Sequence, residues 1–276
     1  MSATADHGLI QRALAEDVGE GDITTTAIVP EHLRGTATLV LREAGVVCGV
    51  DDAFAVFLAL DPAAELERMW GEGDEVTDVP AEIAVVHGSL RALLTGERTA
   101  LNLLQRSSGI ATQTRAYADL IEGTGVQLLD TRKTAPGLRG LDKRAVAYGG
   151  GTNHRAGLYD AILIKDNHVA IAGGVGPAIR AARARHPGEP VEVEVDTLEQ
   201  LDQALACGAE AILLDNMTPE QVTEAVRLTN GQAALEASGG ITLETIRSFA
   251  ETGVDFISVG ALTHAARSLR VSREVQ

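Results

Sequence analysis

The chain has 276 residues and two cysteines, enough length to bury a core without crosslinks and too little cysteine for a disulfide framework or a four-cysteine metal site. A formal net charge of -16 argues against general binding to nucleic acid or to anionic membranes, both of which need a basic footprint. No apolar run reaches the roughly 20 residues of a membrane span, residues 1–17 lack a signal-like apolar segment, and Cys48 and Cys207 read as small buried apolar residues, so a cytoplasmic protein is expected.

In chain order, residues 6–17 have the spacing of a short amphipathic helix. Segments 36–42, 46–48, 66–70 and 83–87 read as strands and 51–60 as a helix, which predicts an N-terminal α/β sandwich domain. Residues 89–122 form a mostly helical bridge, with bends expected near Gly96 and Gly109. Six short apolar runs follow at 126–130, 161–165, 191–195, 211–215, 233–237 and 256–259, with helical stretches between most of them. This alternation implies parallel strands joined by crossovers. Thr197 with Gln200, and Thr218 with Gln221 and Pro219, fit the N-terminal capping box. The division expected is 1–108, completed by the tail 266–276, and a second domain over 109–265.

Six parallel strands can close toward a barrel or lie open in a doubly wound sheet. Nearly every strand here ends in polar or glycine residues: Asp130 to Lys133, Lys165 to His168, Glu194, Asp215-Asn216, Ser238 to Gly240 and Gly260. A barrel brings all of these to one mouth, so an incomplete, six-stranded α/β barrel is the architecture expected. Period-two alternation puts Leu163 with Lys165, Glu192 with Glu194, and Leu213 with Asp215 on common strand faces, so charge points into that mouth. Ion pairing among Lys165, Glu194 and Asp215 as a structural network is the plain alternative.

Basic residues concentrate over the same stretch, with Arg132, Lys133, Arg139, Lys143, Arg144, Arg155 and Lys165 falling close together beside His154. In an acidic chain such a cluster can reverse the sign locally and suit a small anion; a solvated helical face is the plain alternative, which the placement of these residues beside strand ends weakens. Ser238-Gly239-Gly240 and Val259-Gly260-Ala261 follow adjacent strands, where backbone N–H groups and a helix start can hold a phosphate.

Residues 97–102, 130–139, 149–157 with Asn153-His154-Arg155, 162–168, 191–195 and 236–241 resemble the quinolinate phosphoribosyltransferases in order and spacing, and Glu16-Asp17 and residues 21–24 also fit. The resemblance implies a magnesium-dependent pentosyltransferase of NAD biosynthesis that takes quinolinate and phosphoribosyl pyrophosphate (PRPP). It also implies a homodimer, or a higher oligomer, in which each site is completed by the neighbour. Arg98, Thr131, Arg132, Lys133, His154, Arg155 and Lys165 would then surround dicarboxylate and pyrophosphate. Glu194 and Asp215 would face the ribose or the metal, and Ser238, Gly239, Gly240, Val259, Gly260 and Ala261 would hold the 5-phosphate. Lys133, Lys165, Glu194 and Asp215 are the expected catalytic set, with Lys133 or His154 as proton donor.

Two positions depart from the family pattern: Arg144 stands where a tyrosine is usual and Ser107 where a leucine is usual. Arg144 is expected on a helix flanking the site, enlarging its positive field. The competing readings are a barrel lyase using Lys165 as a Schiff-base nucleophile, a related phosphoribosyltransferase acting on another acid, and a non-catalytic anion binder.

Overall fold

The structure is a computed structural model that describes residues 5–275. The chain runs α1 (His7–Val18), α2 (Ile23–Ile28), β1 (Arg34–Leu41), β2 (Gly45–Val46), α3 (Val50–Leu60), β3 (Glu65–Arg68), β4 (Glu75–Val76), β5 (Ala81–Ser89), α4 (Leu90–Leu120), β6 (Gln127–Leu129), α5 (Arg139–Tyr148) and β7 (Ile162–Ile164). It continues α6 (Asp166–Ala172), α7 (Val175–Arg185), β8 (Val191–Val195), α8 (Leu198–Ala206), β9 (Ala211–Asp215), α9 (Pro219–Thr229), β10 (Ala234–Ser238), α10 (Ile246–Ala250), β11 (Phe256–Ser258), α11 (Ala261–His264) and β12 (Val271–Val275). It divides into one unit of residues 1–115, 134–150 and 263–276, and a second of 116–133 and 151–262. Residues 134–150, which contain α5, thus group with the first unit.

In the first unit the order β12-β1-β5-β3 makes an antiparallel sheet, with the chain's last strand paired along β1. Its core holds Leu39, Leu41, Phe57, Ile83, Leu93 and Leu104, drawn from the sheet, α3 and α4. The segment expected as a strand at 46–48 pairs only through Gly45 and Val46, with Val76 and Glu75. Helix α4 runs continuously through Gly96 and Gly109. Glycine at 109 admits a close approach: a Cβ there would lie 1.9 Å from the Arg267 carbonyl oxygen.

Two buried ion pairs tie α5 into this unit. Asp142, fully buried, receives Arg106 through two bonds of 2.8 and 2.7 Å and the Ala135 N–H at 3.2 Å. Arg144 donates to both Asp52 oxygens at 2.6 and 2.8 Å. The Arg144 charge is therefore offset at once by a carboxylate, which corrects its expected role as a contributor to a positive field. Ser107, the other departure, is 1% exposed, and its Oγ has no hydrogen-bond partner.

The second unit is a six-stranded, all-parallel sheet ordered β6-β11-β10-β9-β8-β7. The strands from β7 to β11 are consecutive neighbours, and β6 returns beside β11. That is the winding of a barrel with the β6–β7 seam left unpaired, whereas a doubly wound sheet would grow outward from its middle. An isolated bridge from Leu129 to Thr152 lies along the open side of β6. The helices start where their caps predict. Thr218 and Gln221 close a reciprocal capping box on α9, while in α8 Thr197 accepts the Gln200 N–H and Gln200 reaches back to Asp196 instead.

Candidate active site

Parallel register stacks the inward side chains of the second unit in layers. Leu163, Glu192, Ala211 and Ala234 are register partners across β7 to β10. Above them come Glu194, Leu213, Glu236, Phe256 and Gln127, and nearest the strand C-termini Asp215, Ser238, Ser258 and Leu129. Barrels are usually filled here by branched apolar residues; this one places three glutamates and an aspartate inside.

At the C-terminal mouth a cavity of about 310 Å³ is lined by Asp130, Thr131, Arg132, Lys133, His154, Arg155, Leu163, Lys165, Glu194, Leu213, Asp215, Glu236, Ser238 and Ser258. Nine of the residues read from the sequence thus meet in one pocket: Thr131, Arg132, Lys133, His154, Arg155, Lys165, Glu194, Asp215 and Ser238. Gly239 and Gly240 follow β10 with left-handed backbones, φ 97° and 63°. Val259 is buried after β11, and Gly260 and Ala261 lead into α11. Arg98 belongs to the first unit, where it lines a separate cavity of about 460 Å³ with Asp17, Asp22, Thr95 and Glu97. The same spacing rule that found Glu194 also indicates Glu192, and stepping back two residues from Ser238 indicates Glu236. Neither was among the expected site residues, nor were Asp130 and Ser258.

The cations are held unevenly. Lys165 Nζ meets Glu194 Oε2 at 2.5 Å. Arg155 donates to the Ala161 carbonyl at 3.2 Å, and burial together with the nearby Arg132 lowers its pKa. Arg132 Nε is buried with no hydrogen-bond partner. Two neighbouring guanidinium groups, one with a buried N–H unsatisfied, make a site that an anion would complete. Among the acids, burial and then the Glu194 charge raise the pKa of Asp215, against opposing effects of the Asn216 amide, Lys165 and Lys133.

Beneath them, buried Asp130 accepts the His154 N–H at 2.8 Å and the Asn153 amide at 2.7 Å. The His154 ring sits with Nε2 3.2 Å from Glu192 and 3.4 Å from Glu236, while Nδ1 lies 2.7 Å from the Arg155 backbone nitrogen. Glu192 and then Glu236 push its pKa up to about 10, and burial raises that of Glu236 as well. These three side chains lie close enough for a metal ion. A metal on Nε2 would have to displace the proton that the two carboxylates favour there.

Fold and site together define an incomplete α/β barrel that gathers basic and acidic side chains in one pocket at its C-terminal mouth. The quinolinate phosphoribosyl transferase C-terminal domain model matches residues 110–272 and the N-terminal domain model matches 22–108. Nicotinate-nucleotide pyrophosphorylase [carboxylating] of Mycobacterium leprae is 48% identical over 273 residues, covering 96% of this chain and 95% of that protein. The solved structure of the Ehrlichia chaffeensis nicotinate-nucleotide pyrophosphorylase superposes with a TM-score of 0.95 at 36% identity over the full length of both chains. That from Francisella tularensis gives 0.92 at 42% identity, covering 98% and 95%. The chain belongs to the quinolinate phosphoribosyltransferase family. Among the described residues no helix is long and apolar enough to cross a membrane.

Proposed function

We propose that the protein joins quinolinate to PRPP, with loss of carbon dioxide and pyrophosphate, to form nicotinate mononucleotide in the cytoplasm. The observation that carries this reading is the pair Arg132 and Arg155, adjacent in one mouth pocket, with Arg132 Nε buried and unpartnered. Quinolinate bears two adjacent carboxylates, and planar guanidinium groups grip carboxylates in a way that lysine does not. Lys133 and Lys165 offset the charge of pyrophosphate. Ser238 to Gly240 and Val259 to Ala261 cradle the 5-phosphate through backbone N–H groups.

Positive charge develops at the anomeric carbon as pyrophosphate leaves, and Glu194 and Asp215 face it from adjacent strands. Once ribosylated, the ring nitrogen is cationic and stabilises the electron pair left when the 2-carboxylate departs, so the chain need only hold the ring and return a proton. Glu194 and Asp215 also suit Mg²⁺: both are hard oxygen donors, and burial and then the Glu194 charge raise the pKa of Asp215, which a cation there would relieve. Bound there, Mg²⁺ would neutralise the leaving pyrophosphate. A Schiff-base role for Lys165 is disfavoured, because its Nζ is engaged by Glu194.

The reading includes a homodimer in which Arg98 of one subunit serves the pocket of its neighbour. Supporting it, Arg98 lies beside an open cavity of the first unit, near Ile23, which is 84% exposed. The test is carbon dioxide and pyrophosphate release with quinolinate, PRPP and Mg²⁺. Release of both is expected with all three and not without PRPP; pyrophosphate release as fast with nicotinate, which has no 2-carboxylate to lose, would overturn the dicarboxylate assignment.

A further inference from the structure

Among the described residues, two that are not glycine have a left-handed backbone, Asn216 at φ 56° and Asn230 at φ 45°. Asn230 caps the end of α9, where such a backbone is ordinary. Asn216 has no such reason. It follows β9 directly at the mouth of the barrel, where glycine would adopt the same backbone at least cost. The chain instead places an amide there, and the amide is used: Asn216 Nδ2 donates to Asp215 Oδ2 at 2.7 Å. The Asn216 N–H donates to the Ser238 carbonyl at 2.9 Å, pinning the turn to the next strand. On the other side the Asn216 carboxamide fills the space beside Gly239, where an added Cβ would lie 2.3 Å from Asn216 Oδ1 and 2.7 Å from Cγ. Gly239 itself has φ 97°, so that position is closed to side chains twice over, by its backbone and by the neighbouring amide.

We propose that Asn216 is a positioning residue: its amide orients the Asp215 carboxylate toward the pocket and sets that carboxylate in register with the glycine loop at Ser238 to Gly240. The inference rests on the reading that Asp215 serves phosphoribosyl transfer. An Asp215 free to rotate about its χ angles would spend part of its time turned from the reacting carbon or paired with Lys133 or Lys165. A donor at 2.7 Å held on a fixed turn removes that freedom before substrate arrives. Because Asn216 touches Asp215 and Gly239 together, one side chain ties the carboxylate to the loop that would hold the 5-phosphate.

Asn216→Gly isolates the amide, since glycine keeps the left-handed backbone without strain. Expected is a kcat lower by about tenfold, from the loss of one hydrogen bond to a charged group, with KM for quinolinate changed by less than about twofold and the melting temperature not lowered. Asn216→Asp keeps the shape but replaces the donor with a second carboxylate against Asp215, and its kcat should fall further than that of the glycine variant. Unchanged kcat in Asn216→Gly, an Asn216→Asp enzyme as active as the wild type, or a melting temperature falling in step with kcat would each overturn the proposal. Wild-type protein is assayed alongside: its turnover of quinolinate with PRPP secures the underlying reading, so that failure of the variants counts against Asn216 alone. Absence of wild-type turnover would overturn both.

Discussion

Replacing Asp215 by asparagine separates catalysis from stability. The carboxylate is half-buried at the end of β9, and burial and the Glu194 charge raise its pKa above the ordinary aspartate value. A carboxyl group whose pKa is higher folded than unfolded binds its proton more tightly in the native state. Its contribution to stability is therefore most favourable at low pH and is lost as pH rises from the unfolded value through the folded one. At neutral pH the ionised group is a liability to the fold, and asparagine, of the same shape and without charge, removes it. Asp215→Asn should then melt at the same temperature as the wild type at pH 7, or higher, and its advantage should shrink on acidification toward the aspartate range.

Catalysis should move the other way. Loss of one preorganised electrostatic group facing developing charge typically costs about 10²- to 10³-fold in kcat. Carbon dioxide release at saturating substrates gives kcat, and thermal unfolding without ligands from pH 4 to 8 gives stability. A melting temperature falling in parallel with activity would show that Lys165, Glu194 and Asp215 are a structural network and would refute the catalytic reading.

Arg155→Ala should lower kcat/KM for quinolinate by about 10- to 150-fold, the worth of one charge-assisted hydrogen bond, and Arg155→Lys should recover little of it; a fully active lysine variant would show that charge alone suffices. Inactive Arg98→Ala and Lys165→Ala homodimers, mixed under subunit exchange, should regain roughly a quarter of wild-type activity if Arg98 acts across a two-fold interface. Background activity, with exchange confirmed by mass spectrometry, would reject the shared site. Asp142→Ala leaves Arg106 unpaired against a buried position and should destabilise by about 3–5 kcal/mol in urea unfolding. A loss below about 1 kcal/mol would show that the pair is screened like a surface bridge.

Local pattern was enough for much of this molecule. The run Val191–Val195 alternates valine and glutamate, and it forms β8 over those five residues with valines buried and glutamates turned inward. Helix α9 begins where Thr218, Pro219 and Gln221 say it should, because a cap satisfies its own free N–H groups without help from distant residues. The pocket at the strand ends was legible for the same reason: in a barrel, side-chain direction follows from period two and every strand C-terminus shares one mouth. Strand β4 was not legible, since two residues have no period, and Glu75-Val76 is a strand only because Gly45-Val46 lies beside it.

Nothing local in residues 134–150 assigns them to the first unit; that follows from Asp142 and Arg144 finding Arg106 and Asp52, far away in sequence. The return of β6 to the side of β11 likewise depends on closure of the whole sheet. Sequence alone pointed Lys165, Glu194 and Asp215 into the barrel but passed over Glu236. Tertiary structure decided what each one meets there, His154 between two glutamates and Asp215 against Asn216, because a hydrogen bond depends on distances that span many strands and that no spacing along the chain encodes.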